Sequence, residues 1–327
     1  MNKRTLQIKK PWNLRAFLFQ WEWLLIVIFI LIQIINSSIS PYYLDKNTFF
    51  IAPRIFLDKA FIVLPMMFVI ILGNIDISVA SNVALTSVLM AVLYNAGLPM
   101  SLAIAAALVI GTALGGFNGL LQIRFPELPA MIITLSTMTI YRGLAYVILQ
   151  DQAAGGFPKW FDFFAWGQIG PFPFISIVFV IAALIFGLLL HRTSFGRVLY
   201  GMGNNLTACK YSGININRVL LIVSLLTGFM SAVCAIFLTS RMGSTRPNVA
   251  QGYELDVIAM VVLGGVSTSG GTGRIAGPLL AIFIIGFLNY GLGLVNASAQ
   301  VILVVLGLLL VLSVLVMNLR ISGRRSV

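Results

Sequence analysis

Long apolar runs broken by short polar stretches set the pattern of this chain. About 20 apolar residues are needed to cross the hydrocarbon of a bilayer. On that measure the runs predict about ten crossings, near 22–40, 52–72, 77–95, 98–122, 128–149, 172–190, 218–240, 253–265, 274–294 and 299–318. Three of them are weak. The stretch 52–72 opens with Arg54, Asp58 and Lys59, which leaves an apolar part from Ala60 too short to span alone. The stretch 253–265 opens with Glu254 and Asp256 before the run from Val257 to Leu263, and 77–95 is rich in Ser, Asn and Thr. Short or broken helices survive in a membrane where they line protein or water. The expected fold is therefore all-α, a polytopic transmembrane bundle of about ten (eight to ten) helices with broken or re-entrant segments. It forms one membrane domain over 22–318, flanked by tails at 1–21 and 319–327. The first apolar run follows a basic, aromatic start and has no small-residue cleavage pattern, so it reads as a retained helix.

Composition narrows the class further. Hydrophobic residues make up 59% of the chain and charged ones 9%, with a mean hydropathy of +1.01. Soluble domains carry about 25% charged residues, so a water-exposed enzyme fold is excluded. The net charge of +12 raises nucleic acid as a partner, but the basic residues sit at segment ends, where topology signals belong. With a cytoplasmic N-terminus, 14 of the 21 basic residues fall on the cytoplasmic side and seven on the outer side. Both termini then lie inside, and nucleic acid is not an expected partner. Cys209 and Cys234 differ in setting, one in a polar loop and one in an apolar run, which predicts neither a disulfide nor a metal site.

Several polar features carry possible chemistry. The loop 191–218 is the largest polar stretch on the cytoplasmic side. Asn204 or Asn205 supplies a helix cap, a short run follows to Lys210, and Ser212 with Gly213 stops it. Such a helix either docks a soluble partner or serves as an interfacial linker. Asp76 stands at the junction of two apolar runs, as a cap for the following helix, as a cavity residue, or as both. A sugar-like solute needs hydrogen-bond partners that an apolar bundle lacks. Asn82, Thr86, Asn118, Ser136 and Thr139 supply them within predicted helices, with helix-to-helix bonding as the alternative. The expectation is that Asp76 holds the helix end while Asn82 and Asn118 face the solute. Glu254 and Asp256, at i and i+2, do not share a helix face, which argues against an acid/base pair. Local pairing with Arg241 and Arg246 is their plain reading. Gly270, Gly271 and Gly273 mimic a phosphate loop, but the Lys-Ser/Thr ending is missing. They read as a tight turn with close helix approach.

Three stretches resemble the permease subunits of bacterial ATP-binding-cassette sugar importers, the ribose/xylose/galactose/autoinducer-two group. The first is the loop 191–218, where Gly196, Arg197, Gly203, Asn205, Ala208, Ser212, Gly213 and Ile214 match the cytoplasmic signature. Asn204 departs from it where a second glycine is usual, and Leu206 where an acid is common. The second is Gly73–Ser81, similar to Gly-Gly-Ile-Asp-Leu-Ser-Val-Gly-Ser, with Asn74 and Ala80 in place of glycines. The third and most specific is Gly252–Gly277. Finer similarities at Trp21-Glu22-Trp23, 95–100 and 156–158 point toward the autoinducer-two branch. The resemblance implies a non-catalytic permease in a bacterial plasma (inner) membrane. It implies an ATPase subunit that uses ATP-Mg, an extracytoplasmic sugar-binding protein, a second permease subunit (identical or homologous), and no cofactor on this chain. It assigns ATPase coupling to Gly196, Arg197, Gly203, Asn205, Ala208, Ser212 and Gly213. Glu254, Asp256, Arg241 and Arg246 would meet the binding protein, with opposite charges setting its orientation. A self-contained secondary transporter is the alternative, disfavoured by the scarcity of membrane carboxylates.

Overall fold

Six helices are long and apolar enough to cross a membrane in the computed structural model, which describes residues 21–45, 48–298 and part of 300–311. They are α1 (Trp21–Ile39), α4 (Met100–Arg124), α5 (Ala130–Leu149), α7 (Phe174–Arg192), α10 (Ile216–Met242) and α12 (Ala276–Leu294). Between them lie α2 (Thr48–Ile71), α3 (Val79–Asn95) and α11 (Tyr253–Leu263). Short helices α6 (Phe163–Trp166), α8 (Ser194–Asn204) and α9 (Leu206–Tyr211) sit in the connections. Among the described residues, strands are confined to two-residue pieces. β1 (Ala154–Gly155) pairs antiparallel with β4 (Ser244–Thr245), and β2 (Gln168–Ile169) pairs with β3 (Phe172–Pro173). The helical membrane bundle read from the hydropathy pattern is the fold observed. The tenth run, near 299–318, and both tails fall largely outside the described residues.

The weak stretch 52–72 forms α2, an unbroken helix of 24 residues that begins at Thr48. It is not among the six helices apolar enough to cross a membrane, in keeping with its charged start. Its three charged residues do not end it. Arg54, Asp58 and Lys59 are all buried, and every residue from Phe56 to Ile71 is buried with them. Partners on α10 and α11 neutralise Asp58 and Lys59, so the charges become cross-links between helices. The other two weak stretches match their polar composition. α3 has 17 residues and is packed on nearly all sides, and α11 is a half-length helix of 11 residues.

The bundle centres on α10, which packs against α4, α2 and α3. Small residues set that approach. Gly111, Gly115 and Gly119 recur every four residues on one face of α4, opposite Ser224, Gly228 and Ala232 on α10. A Cβ added to Gly115 would lie 2.6 Å from the Gly228 Cα, and one added to Gly228 would lie 2.8 Å from the Gly115 Cα. Lipid tails are as apolar as leucine, so helices in a bilayer gain by close backbone contact of this kind. The connections sort to two ends. Ile71, Gly203 and Gly271 meet at one, and the β1–β4 ladder closes the other.

Replacing Gly115 by leucine should overpack this crossing at a cost of about 1–3 kcal/mol. The thermal unfolding midpoint in detergent should fall, whereas Gly143→Ala, with open space around its site, should leave it unchanged. Equal midpoints for the two variants would remove the close contact as an organising feature.

Candidate functional site

The loop 191–218 folds as a bracket of two helices across one end of the bundle. Thr193 caps α8, its hydroxyl accepting from the Gly196 N–H at 3.4 Å. Asn205 caps α9, its side-chain oxygen accepting from the Ala208 N–H at 2.9 Å. Gly213 then takes the left-handed conformation (φ +78°) that ends α9, with its N–H donating to the Lys210 carbonyl. Arg197, Asn205, Ala208, Ser212 and Gly213 are exposed along the bracket, while Gly196 is buried against the end of α7. Gly203 is the seat. A side chain there would run into the Ile71 carbonyl and the Gly271 backbone. The Gly271 N–H donates to the Ile71 carbonyl at 2.8 Å, and Asn204 Nδ2 donates to the Gly271 carbonyl at 3.0 Å. Asn204 thus fills the place of the usual second glycine with a bond to the glycine-rich turn. Tyr200 Oη adds a bond to the Gly273 carbonyl at 2.6 Å.

The bracket therefore touches both breaks in the bundle. One lies between α2 and α3, the other between α11 and α12. The first break, Gly73–Ser78, leads into a polar relay. Asp76 Oδ1 accepts from the Ser78 N–H at 2.9 Å and from its hydroxyl at 2.6 Å, directly ahead of α3. Asn118 Nδ2 donates to Ser78 Oγ at 2.7 Å, and the Tyr141 hydroxyl donates to Asn118 Oδ1 at 3.2 Å. The Ile77 N–H and the Ile75 carbonyl both bond Thr134 Oγ1 at 3.3 Å. Asp76, α4 and α5 are thereby tied together. A cavity of about 10 Å³, room for one water, adjoins Asp76 between Asn74, Gln122 and Ser224.

The candidate path residues divide into two sets. Asn82 and Asn118 are buried, at 2% and 1% exposure, and bond from helix to helix. Asn82 Nδ2 donates to the Gly111 carbonyl at 3.0 Å, and Thr86 Oγ1 donates to Asn82 Oδ1 at 3.0 Å. In this conformation their side chains are engaged between α3 and α4. Ser136 and Thr139, by contrast, lie exposed on α5, each hydroxyl bonded back to the carbonyl four residues earlier.

The charged residues at the opposite end are likewise redistributed. Asp256 and Arg241 turn inward, against the expectation that they present a docking face. Lys59 forms an ion pair with Asp256, and Arg241 Nη2 donates to Asp58 Oδ2 at 2.7 Å. The Tyr253 hydroxyl joins Asp58 at 3.3 Å, and Lys59 Nζ sits 5.2 Å from the Tyr253 ring centre. Glu254 is buried, and of the four only Arg246 is exposed. The reason is electrostatic. Buried charges on α2 need countercharges, and α10 and α11 supply them. Reading the chain segment by segment gave Asp58 and Lys59 no pairing role and passed over the Gly111/Gly115/Gly119 series. The signals were a charged pair inside one apolar run, opposite charges at the ends of two others, and glycines at four-residue spacing.

Asp256→Ala should cost about 3–5 kcal/mol by leaving Lys59 buried without its partner. The double variant Lys59→Met/Asp256→Leu should recover most of the loss in thermal unfolding. A double variant no more stable than Asp256→Ala would show that the pair does not bind α2 to α11.

Among known proteins, the family described as branched-chain amino acid transport system / permease component matches residues 55–314. The ribose import permease protein RbsC of Bacillus subtilis is 40% identical over 290 residues, 88% of this chain and 89% of its own length. RbsC of Escherichia coli K12 is 36% identical over 302 residues, 90% of this chain and 92% of its own. The autoinducer 2 import system permease protein LsrD of Yersinia enterocolitica is 33% identical over 302 residues, 90% and 91% of the two chains. No solved structure matches. The resemblance read from the three motifs is thus met by relatives aligned over nearly the whole chain, and the chain belongs to this family of membrane transport permeases.

Proposed function

We propose that this chain is the permease subunit of an ATP-binding-cassette importer in a bacterial inner membrane. It forms the path for a monosaccharide or sugar-like solute, a ribose-type sugar or autoinducer-two. An extracytoplasmic binding protein delivers the solute, and separate ATPase subunits using ATP-Mg drive the cycle. Both termini are cytoplasmic, in keeping with the basic residues Arg124, Arg192, Arg197, Lys210, Arg218 and Arg274 at the bracket end.

The observation that carries this reading is the seating of the α8–α9 bracket at Gly203, against Ile71 and Gly271. An ATPase pressing on the exposed side of the bracket would displace the inner ends of α2 and α11 together. Their far portions are joined by Lys59 and Asp256, so the two helices move as a pair. The relay from Asp76 to Tyr141 holds α3, α4 and α5 as a second body. Relative motion of the two bodies opens and closes the path, whose solute contacts include the exposed hydroxyls of Ser136 and Thr139. Asp76, Asn82, Thr86 and Asn118 stand behind that face and position it. A second permease subunit, identical or homologous, supplies the opposite wall.

Co-purification from native membranes, then reconstitution with the co-purifying ATPase and receptor, tests the assignment through uptake of labelled ribose and autoinducer-two. Ala208→Glu places a charge on the exposed bracket, where an unpaired charge in a packed interface costs several kcal/mol. Receptor-stimulated ATP hydrolysis should fall more than about tenfold, with folded yield retained. Normal hydrolysis and stable ATPase association would remove the bracket as the coupling element.

Ser136→Ala combined with Thr139→Ala should reduce uptake per assembled complex without lowering yield. Uptake at the parental rate would move the solute path away from α5.

A further inference from the structure

Residues 157–173, between α5 and α7, form a foot at the end of the bundle opposite the bracket. A 3-10 turn (Lys159–Asp162) runs into α6, and the β2–β3 hairpin leads on to α7. The inner side of the foot is fixed to the protein. Phe161 and Ala165 are fully buried. Ser240 Oγ donates to the Phe161 carbonyl at 2.7 Å and accepts from the Ala165 N–H at 3.1 Å. The Phe164 ring packs edge-on to Phe237, with centroids 5.9 Å apart.

The outer side is apolar and uncovered. Trp160, Phe163, Trp166, Ile169 and Phe172 are each 46–57% exposed. An open groove of about 740 Å³ runs among Lys159, Trp160, Asp162, Phe163, Phe164 and Trp166, with its two charged members, Lys159 and Asp162, both in the 3-10 turn. Water is a poor occupant for such a patch. The foot also continues the face of α7. The Phe163 ring lies 5.1 Å from Phe174, the first residue of α7, and that helix exposes Val180, Ile181, Leu184, Ile185 and Leu188. α7 is the most hydropathic of the six long helices, so that face meets lipid. The described tryptophans fall at the two bundle ends, Trp21 and Trp23 at one and Trp160 and Trp166 at the other. Paired aromatic belts at the two water interfaces give this distribution.

We propose that the foot is a phospholipid-binding site in the leaflet opposite the bracket. An acyl chain lies in the groove between Trp160, Phe163 and Trp166, continuous with the lipid against α7. The headgroup phosphate lies toward Lys159, the one basic residue of the foot. The tryptophans set the depth at which this end of the bundle sits, and through Ser240 they fix the outer end of α10 to the bilayer surface.

The test uses the full-length permease in nanodiscs of phospholipids brominated at a shallow or a deep acyl position. The tryptophan emission that is present in the parent and lost in W160F/W166F reports the foot. Shallow bromines should quench that emission more strongly than deep ones. In native mass spectrometry, W160A/W166A should lose a phospholipid that the parent retains, and K159E should weaken retention of anionic lipid. Emission untouched by either lipid would overturn the assignment. So would emission that changes only on adding a soluble binding protein, or a foot unquenched in lipid whose W160A/W166A variant dissociates permease copies. Each of those outcomes makes the foot a protein-docking surface.

Discussion

Close approach of α4 and α10 is the constraint on which the rest of the bundle depends. Gly115 and Gly228 bring the two backbones together with no side chain between them, and Gly111 and Gly119 extend the contact along both helices. In a bilayer there is little hydrophobic gain from helix association, so packing and interhelical hydrogen bonds must supply it. The glycine face supplies the packing. It also brings Asn82 within reach of the Gly111 carbonyl, and it sets Ser224 beside the small cavity at Asp76. A wider spacing would leave those polar groups without partners in a medium that offers none.

Charge supplies the second kind of fastening. Asp58 and Lys59 are adjacent on α2, yet each turns to a different neighbour, Arg241 on α10 and Asp256 on α11. A buried ion pair adds little net stability over apolar residues of the same shape, but losing one member is costly. Such pairs fix which helices stay together more than they strengthen the fold. Here they secure the half-helix α11, which has too few residues to cross a membrane alone. Glycine geometry serves it at the other end, where the turn at Gly270–Gly273 meets the bracket. The half-helix is thus held by charge at one end and by backbone contact at the other, a suitable arrangement for an element that moves with its neighbours.

The sequence by itself determined the class, the six helices long and apolar enough to cross a membrane among the described residues, and the capped and glycine-stopped helix of the bracket. These are local properties. Hydropathy over some 20 residues fixes a crossing, and an Asn cap with a glycine stop fixes a short helix within one turn. The family was legible for the same reason, since its motifs are continuous in the chain. Tertiary structure alone decided what the polar residues do. Asn82 and Asn118 were open between solute contact and packing bond, and their bonding partners came only with α4 set against α3. Asp256 and Arg241 were open between docking and local pairing, and their countercharges on α2 came only with the packed bundle. Asp58 and Lys59, which weaken 52–72 as a span, fix which helices stay beside it. The partner of a buried polar group lies many residues away in sequence, and its identity depends on which helices touch. That is settled by packing across the whole bundle, not by any local pattern.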